Sequence, residues 1–312
     1  MTKPQGPDAT KYVLSSPEIH AAQRKHSRLV VGLPMVLALA GPLYLPAHVD
    51  WLMAAVLFFG MLTFTACLGI SAGFHRHFAH RAFRAAPWLR ALLIVAGQMT
   101  GQGPVMYWTA LHRRHHSFAD LPGDPHSPLP SAQDGNRTPR QAFWHAHFQW
   151  PTRHAVPMPS RYVADLLADP LVKRLNDWYY FCLVAGLVIP TVAGGLWDHS
   201  WQGALVGFYF GGPLRLTICT QGIWGLNSVC HTFGTRPHVT GDRSTNHLGM
   251  ALVTYGEGWH NNHHHAPTHA RFGHGPWQPD PTWWLLATLR RLGAVSGVID
   301  ENTTAASRGA QS

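Results

Sequence analysis

The sequence predicts an all-α integral membrane protein. Four transmembrane helices in two hairpins lie under a cytosolic helical cap, which holds a nine-histidine, two-metal site. Three observations lead there. Charged residues are only 12% of the 312 positions while 46% are hydrophobic, and the apolar residues fall in long runs. Lysine and arginine are absent from the short links inside two pairs of those runs. Histidines number 23 against 15 acidic residues, and many gather in clusters close to the ends of the runs.

Residues 1–28 form a polar N-terminal arm carrying Lys3, Lys11, Arg24, Lys25 and Arg28, with no cleavable signal peptide evident. A helix needs about 20 apolar residues to cross a hydrocarbon core of about 30 Å. Candidate spans lie near 29–46, 51–73, 179–197 and 201–225, joined pairwise by the links PAHVD and DHS. Basic residues fill the arm, the segment 75–178 and the C-terminal part, which places all three, and both termini, in the cytoplasm. The basic residues are spread along the chain, so the net charge of +9 fits a membrane protein better than a nucleic-acid binder. Arg215 is the one charge inside a predicted span, and must face protein, water or a cytoplasmic helix end. Gly212-Pro213 in the same span reads as a kink.

The cap is expected from 75–178 and 227–301, completing a membrane domain over 29–301, with a disordered tail at 302–312. Within the cap, 161–178 reads as amphipathic helix broken at Pro170 and lying along the membrane surface. Cys67, Cys182, Cys219 and Cys230 form no C-x-x-C pair and read as small buried side chains.

Four histidine clusters carry the chemistry. They are HRHFAH with His75 and His80, HRRHH with His112, His115 and His116, NSVCH with Asn227 and His231, and HNNHH with His260, His263 and His264. The i, i+3, i+4 spacing of the second and fourth puts three imidazoles on one helical face. Neutral imidazole is a common ligand for iron, zinc and copper. If the clusters meet, the first and second share a side, so the apolar stretch 88–107, interrupted by Gly101, Gly103 and Pro104, does not cross once. Two crossings then fit between His116 and His231, as the charge distribution also requires. Nine imidazoles exceed one metal's coordination, so two metals are the natural count. All-nitrogen ligation favours iron, though ligand type alone also permits zinc. Asp120, Asp124 and Glu257 are the carboxylates placed to orient ligating imidazoles. His77, His265, His269 and His274 fall outside the pattern, and His126, His145, His147 and His154 read as structural.

These motifs resemble the membrane-bound fatty acyl desaturases, especially bacterial members of the stearoyl-CoA (Δ9) type. The family's H-x4-H, H-x2-H-H, N-x3-H and E-G-x-H-N-x-H-H appear in order at His75–His80, His112–His116, Asn227–His231 and Glu257–His264, with GDPHSP at 123–128 and SRYVADLLADPLV at 160–172. The resemblance covers most of 29–300. It implies a diiron centre held by the nine histidines, with Asn227 holding a water beside one iron. It also implies O2 as co-substrate, a narrow kinked tunnel for an acyl chain, and a cis double bond as product. Gln102, Trp108 and Trp224 match tunnel-lining residues of such enzymes. The expected location is a bacterial inner membrane.

Several features depart from the pattern. Ala110 and Leu111 stand where animal acyl-CoA enzymes carry Arg-Asp, which leaves CoA, an acyl-carrier protein and an intact lipid open as carriers. The family's H-x-G-W appears as HFQW, His147 to Trp150. No H-P-G-G haem motif is present, so electrons are expected from a separate protein such as ferredoxin with its reductase. Arg113, Arg114 and other cytoplasmic cations are the candidate docking residues, or else lipid-headgroup contacts. A hydroxylase or acetylenase on the same scaffold is the nearest alternative. A metal transporter or storage protein is more distant, since its ionisable residues would line a path through the spans.

Overall fold

The structure, a computed structural model, describes residues 8–129 and 137–300. The start of the N-terminal arm and the expected tail at 302–312 lie outside the described residues. The described chain is mainly helical, with two minor antiparallel strand pairs, Val13–Leu14 with Val156–Pro157 and Arg84–Ala85 with Val295–Ser296.

Two helices are long and apolar enough to cross a membrane, Trp51–Ala79 and Tyr179–Asp198. Asp50 starts the first by accepting a hydrogen bond from the Met53 amide. It begins as α-helix over Trp51–Leu62 and runs on as a wider π-helix over Thr63–Ala79, and its 29 residues exceed the roughly 20 needed to cross a hydrocarbon core. That length lets one helix hold a membrane segment and still carry His75 at its far end. The expected first span divides into a helical run to Leu39 and a short helix, Gly41–Tyr44. The expected fourth is a continuous helical run over 201–228, widened at Phe210–Leu214 around Pro213.

The second hairpin turns at His199, in the left-handed region, and restarts at Ser200, which caps Gly203. Its helices touch backbone to backbone: a Cβ on Gly207 would lie 2.1 Å from the Pro190 carbonyl oxygen. Arg215, fully buried, donates to the carbonyls of Gly211 (2.8 Å), Met99 (2.8 Å) and Gly186 (3.1 Å), binding three segments together. Of the settings expected for it, the protein interior is the one found. Large apolar side chains such as Phe59, Phe181 and Leu196 on the two long apolar helices are exposed, as are Val36 and Leu43 nearer the N-terminus.

The stretch 88–107 is helix Pro87–Gln98, a turn with positive φ at Gly101 and Gly103, and the start of Val105–Phe118. It therefore reverses instead of crossing as one helix. Pro87–Gln98 lies against Trp51–Ala79 at Gly69, where a Cβ would come within 2.3 Å of the Gly97 nitrogen. Phe74, Phe78, Leu89, Leu93 and Ile94 fill the core between these helices and the cap. The segment 161–178 breaks at Pro170, as expected, and also at Val163, giving helices Pro159–Tyr162, Ala164–Leu167 and Pro170–Asn176. All four cysteines are buried and free.

Candidate metal centre

His75 lies near the C-terminal end of Trp51–Ala79, and His80 caps that helix. His112, His115 and His116 project from Val105–Phe118, and His260, His263 and His264 from the short helix His260–His265. His231 follows the end of Arg215–Ser228. These nine imidazoles converge as two groups, His75, His80, His112, His116 and His263 in one, His115, His231, His260 and His264 in the other. Each helical triplet is therefore shared. On a helix, positions i and i+4 lie nearly in line and i+3 falls to one side. His112 and His116 serve the first group while His115 serves the second, and His260 and His264 serve the second while His263 serves the first.

Within the groups, Nε2 atoms face one another. His80 and His112 are 2.8 Å apart, His116 and His112 3.0 Å, His75 and His263 3.1 Å, and His260 lies 3.1 Å from both His231 and His264. Four of the opposite Nδ1 atoms are committed to carboxylates. His115 donates to Asp124 (3.0 Å), His231 to Asp120 (2.8 Å), His264 to Asp242 (2.7 Å) and His75 to Glu257. A neutral imidazole whose Nδ1–H is used in this way presents its Nε2 lone pair to the centre. Glu257 also accepts from Ser71 and from Arg76, whose guanidinium bridges to Asp280 at 2.9 Å. Asp120, Asp124 and Glu257, the carboxylates singled out from the sequence, each contact one of these imidazoles; Asp242, Ser71 and the Arg76–Asp280 pair were not singled out.

Burial, reinforced by neighbouring imidazoles, pushes the pKa values of His80, His112, His116, His260 and His263 well below the ordinary histidine value. His264 falls to about 4, burial outweighing the support of Asp242. At His115 burial acts in the same direction, but Asp124 outweighs it and raises the pKa. Asp120, Asp124, Asp242 and Glu257 are all held below the usual carboxylate range: burial opposes their charge, but the facing histidines overcome it.

The donor set fits metal. Several nitrogens sharing one centre cannot all hydrogen-bond one another, whereas one cation can take a lone pair from each. Two nitrogens about 2.1 Å from the same ion at a right angle would lie about 3.0 Å apart, near the observed spacings. A family model for fatty acid desaturases matches residues 49–282. The chain belongs to the fatty acid desaturase family. Similar proteins include a Hex-5-enoyl-(acyl-carrier protein) acetylenase of Moorena producens (strain JHB), 38% identical over 286 residues, covering 90% of this chain and 88% of that protein. The sn-1 stearoyl-lipid 9-desaturase of Anabaena variabilis is 33% identical over 261 residues, with 82% and 87% covered. An acyl-CoA C20 Delta5-desaturase of Anemone leveillei is 30% identical over 260, with 82% and 77% covered.

In this desaturase a mainly apolar cavity abuts both histidine groups. It is lined by Ile70, Trp108, Ile218, Ile223, Leu226 and Asn227 beside His75, His112, His115 and His260. Trp108 stacks on His112 with ring centres 5.0 Å apart. A second cavity shares Trp108, His112, Ile223 and Asn227 and adds Gln102 and Trp150. A third shares Gln102 and Trp150 and reaches Trp224. Gln102 is held by a 3.0 Å hydrogen bond to Thr220. Gln102, Trp108 and Trp224 thus all line this series, and Asn227 stands where the first two cavities meet.

The remaining histidines lie outside both groups. His77 bonds the Phe83 carbonyl, His147 bridges Ser228 and Gln221, His154 contacts Gln23 and Tyr107, and His126 packs beside His115 and Asp124. His265 is exposed and stacks on His238. The expectation that Arg113 and Arg114 dock an electron donor is corrected. Arg113 is spent on Asp165 and the Phe78 and Tyr162 carbonyls, and Arg114 is buried against Gly123, Ala9 and Tyr162.

Proposed function

We propose that this desaturase is a four-span membrane enzyme whose nine histidines hold two irons. It would introduce a cis double bond, of 9-type, into a saturated acyl chain. The observation that carries this reading is the paired histidine groups beside an apolar, aromatic-walled cavity. A group of five imidazole nitrogens exceeds the four ligands of a structural zinc site, and nitrogen-only donors without thiolate favour iron.

The first cavity would seat the reacting methylenes against His75, His112, His115 and His260, with Trp108 as the rigid wall fixing which carbon faces the centre. Asp120, Asp124, Asp242 and Glu257 would hold four imidazoles in the ligating tautomer, and Asn227 would hold a water beside one metal. The apolar lining would exclude bulk water during turnover. The irons would supply oxygen activation and hydrogen abstraction. Two hydrogens leave the chain, two electrons come from a separate donor with two protons, and O2 is reduced to two waters.

The acetylenase among the similar proteins keeps alkyne formation from an alkene as the second reading. Metal analysis of the purified protein, joined to oxygen uptake with ferredoxin, its reductase and acyl substrate, tests the proposal. Two irons per chain and substrate-dependent uptake are expected. Loosely held metal without uptake would favour a transporter or store.

A further inference from the structure

Beside the third cavity lies a fourth, bordered by three arginines. The third cavity shares Ser27, Val31 and Trp224 with the fourth, which is lined by Arg24, Arg28 and Arg153 together with Met35 and Phe148. None of these three guanidinia has an ion-pair partner among the described residues, and all three residues are exposed. Three cations around one opening repel one another unless an anion sits between them.

The rim also lies at an apolar boundary. On the helical run that carries Arg24 and Arg28, the next outward residues are Leu29, Leu33 and Val36, all exposed. Tyr180, which also lines the third cavity, is exposed at the start of the apolar helix Tyr179–Asp198. Arginine beside exposed aliphatic surface fits the headgroup level of a bilayer. Deeper, Trp150 lines both the second and third cavities, and its indole N–H is buried without an acceptor. A buried donor of this kind costs free energy unless an acceptor such as an ester carbonyl arrives. The positions where acyl-CoA enzymes carry Arg-Asp, Ala110 and Leu111, are buried and offer a cytosolic headgroup nothing.

We propose that this opening is a lateral portal taking an acyl chain from a phosphate-bearing membrane glycerolipid, with Arg24, Arg28 and Arg153 receiving the phosphate and Trp150 the ester carbonyl. This rests on the reading of the cavity series as the acyl channel.

The test compares carriers, using iron-loaded enzyme with ferredoxin, its reductase and NADPH. The enzyme is assayed in vesicles of distearoyl phosphatidylglycerol diluted in an unsaturated phospholipid, in matched vesicles of a stearoyl galactolipid, and with stearoyl-CoA or stearoyl-carrier protein. Phosphatidylglycerol is expected to be the best substrate. The triple variant Arg24→Gln, Arg28→Gln, Arg153→Gln should lower kcat/KM on it at least tenfold, chiefly through KM, with iron content unchanged. Lysine at the three positions should retain most of the activity. Turnover of CoA or carrier-protein substrates alone, or equal use of galactolipid with no effect of the triple variant, would overturn the portal and leave the desaturase reading standing. No product from any carrier would overturn both.

Discussion

The Nδ1 atom of His264 donates to Asp242 at 2.7 Å while its Nε2 faces His260, whereas the next residue, His265, is exposed and stacks on His238. His264→Ala is therefore expected to abolish product formation and to lower bound iron, and His265→Ala to leave both near wild type. Equal loss at matched protein levels would contradict the ligand assignment. Asp242→Asn keeps the side chain's size but removes its charge, and should weaken metal retention about 10- to 100-fold in a chelator titration. Unchanged retention would show that Asp242 has no orienting role. The clustered histidines were legible because their spacing is a motif. Asp242 was not: it lies in a loop 22 positions before its partner, and a lone aspartate there carries no spacing signal. Nor could spacing show that each helical triplet divides between two groups, which depends on how the helices face each other.

Helix contacts at glycine set where these histidines converge. The axis of Trp51–Ala79 lies against Pro87–Gln98 at Gly69 and Gly97, so the helix bearing His75 and His80 is fixed relative to the turn that leads into Val105–Phe118. Gly69→Val should separate these helices and destabilise the protein by about 1–3 kcal/mol, seen as a lower thermal midpoint. At Gly60, where a Cβ meets nothing within 4 Å, Gly60→Ala should have no such effect. A similar loss at both positions would argue against close helix contact as the cause. At this scale the sequence marked the links PAHVD and DHS, within which Asp50 and Ser200 start helices, and the interruption of 88–107 at Gly101, Gly103 and Pro104, where the chain turns. It misjudged Arg113 and Arg114, because exposure depends on neighbours such as Asp165 and Tyr162 that are distant in sequence.

Across the whole molecule, many neutral imidazoles are stored out of water. His126 is lowered to about 3 and His154, His264 and His274 to about 4, in each case chiefly by burial. Below an ordinary histidine pKa of about 6.5 the unfolded chain binds protons that the folded chain refuses. Stability of the metal-free protein should therefore fall as pH drops from about 7 towards 4, and level off below the folded-state pKa values. Thermal unfolding in detergent across that range checks it, and a midpoint that rises on acidification would contradict the buried-neutral account. The most direct test of the central claim is mass-spectrometric analysis of acyl chains from a host of defined lipid composition expressing this protein. The account predicts new cis-monounsaturated chains of unchanged length, each lighter than its saturated precursor by two hydrogens, and none with His264→Ala. Hydroxylated chains without new alkenes, or an unchanged profile from iron-loaded protein supplied with electrons, would contradict it.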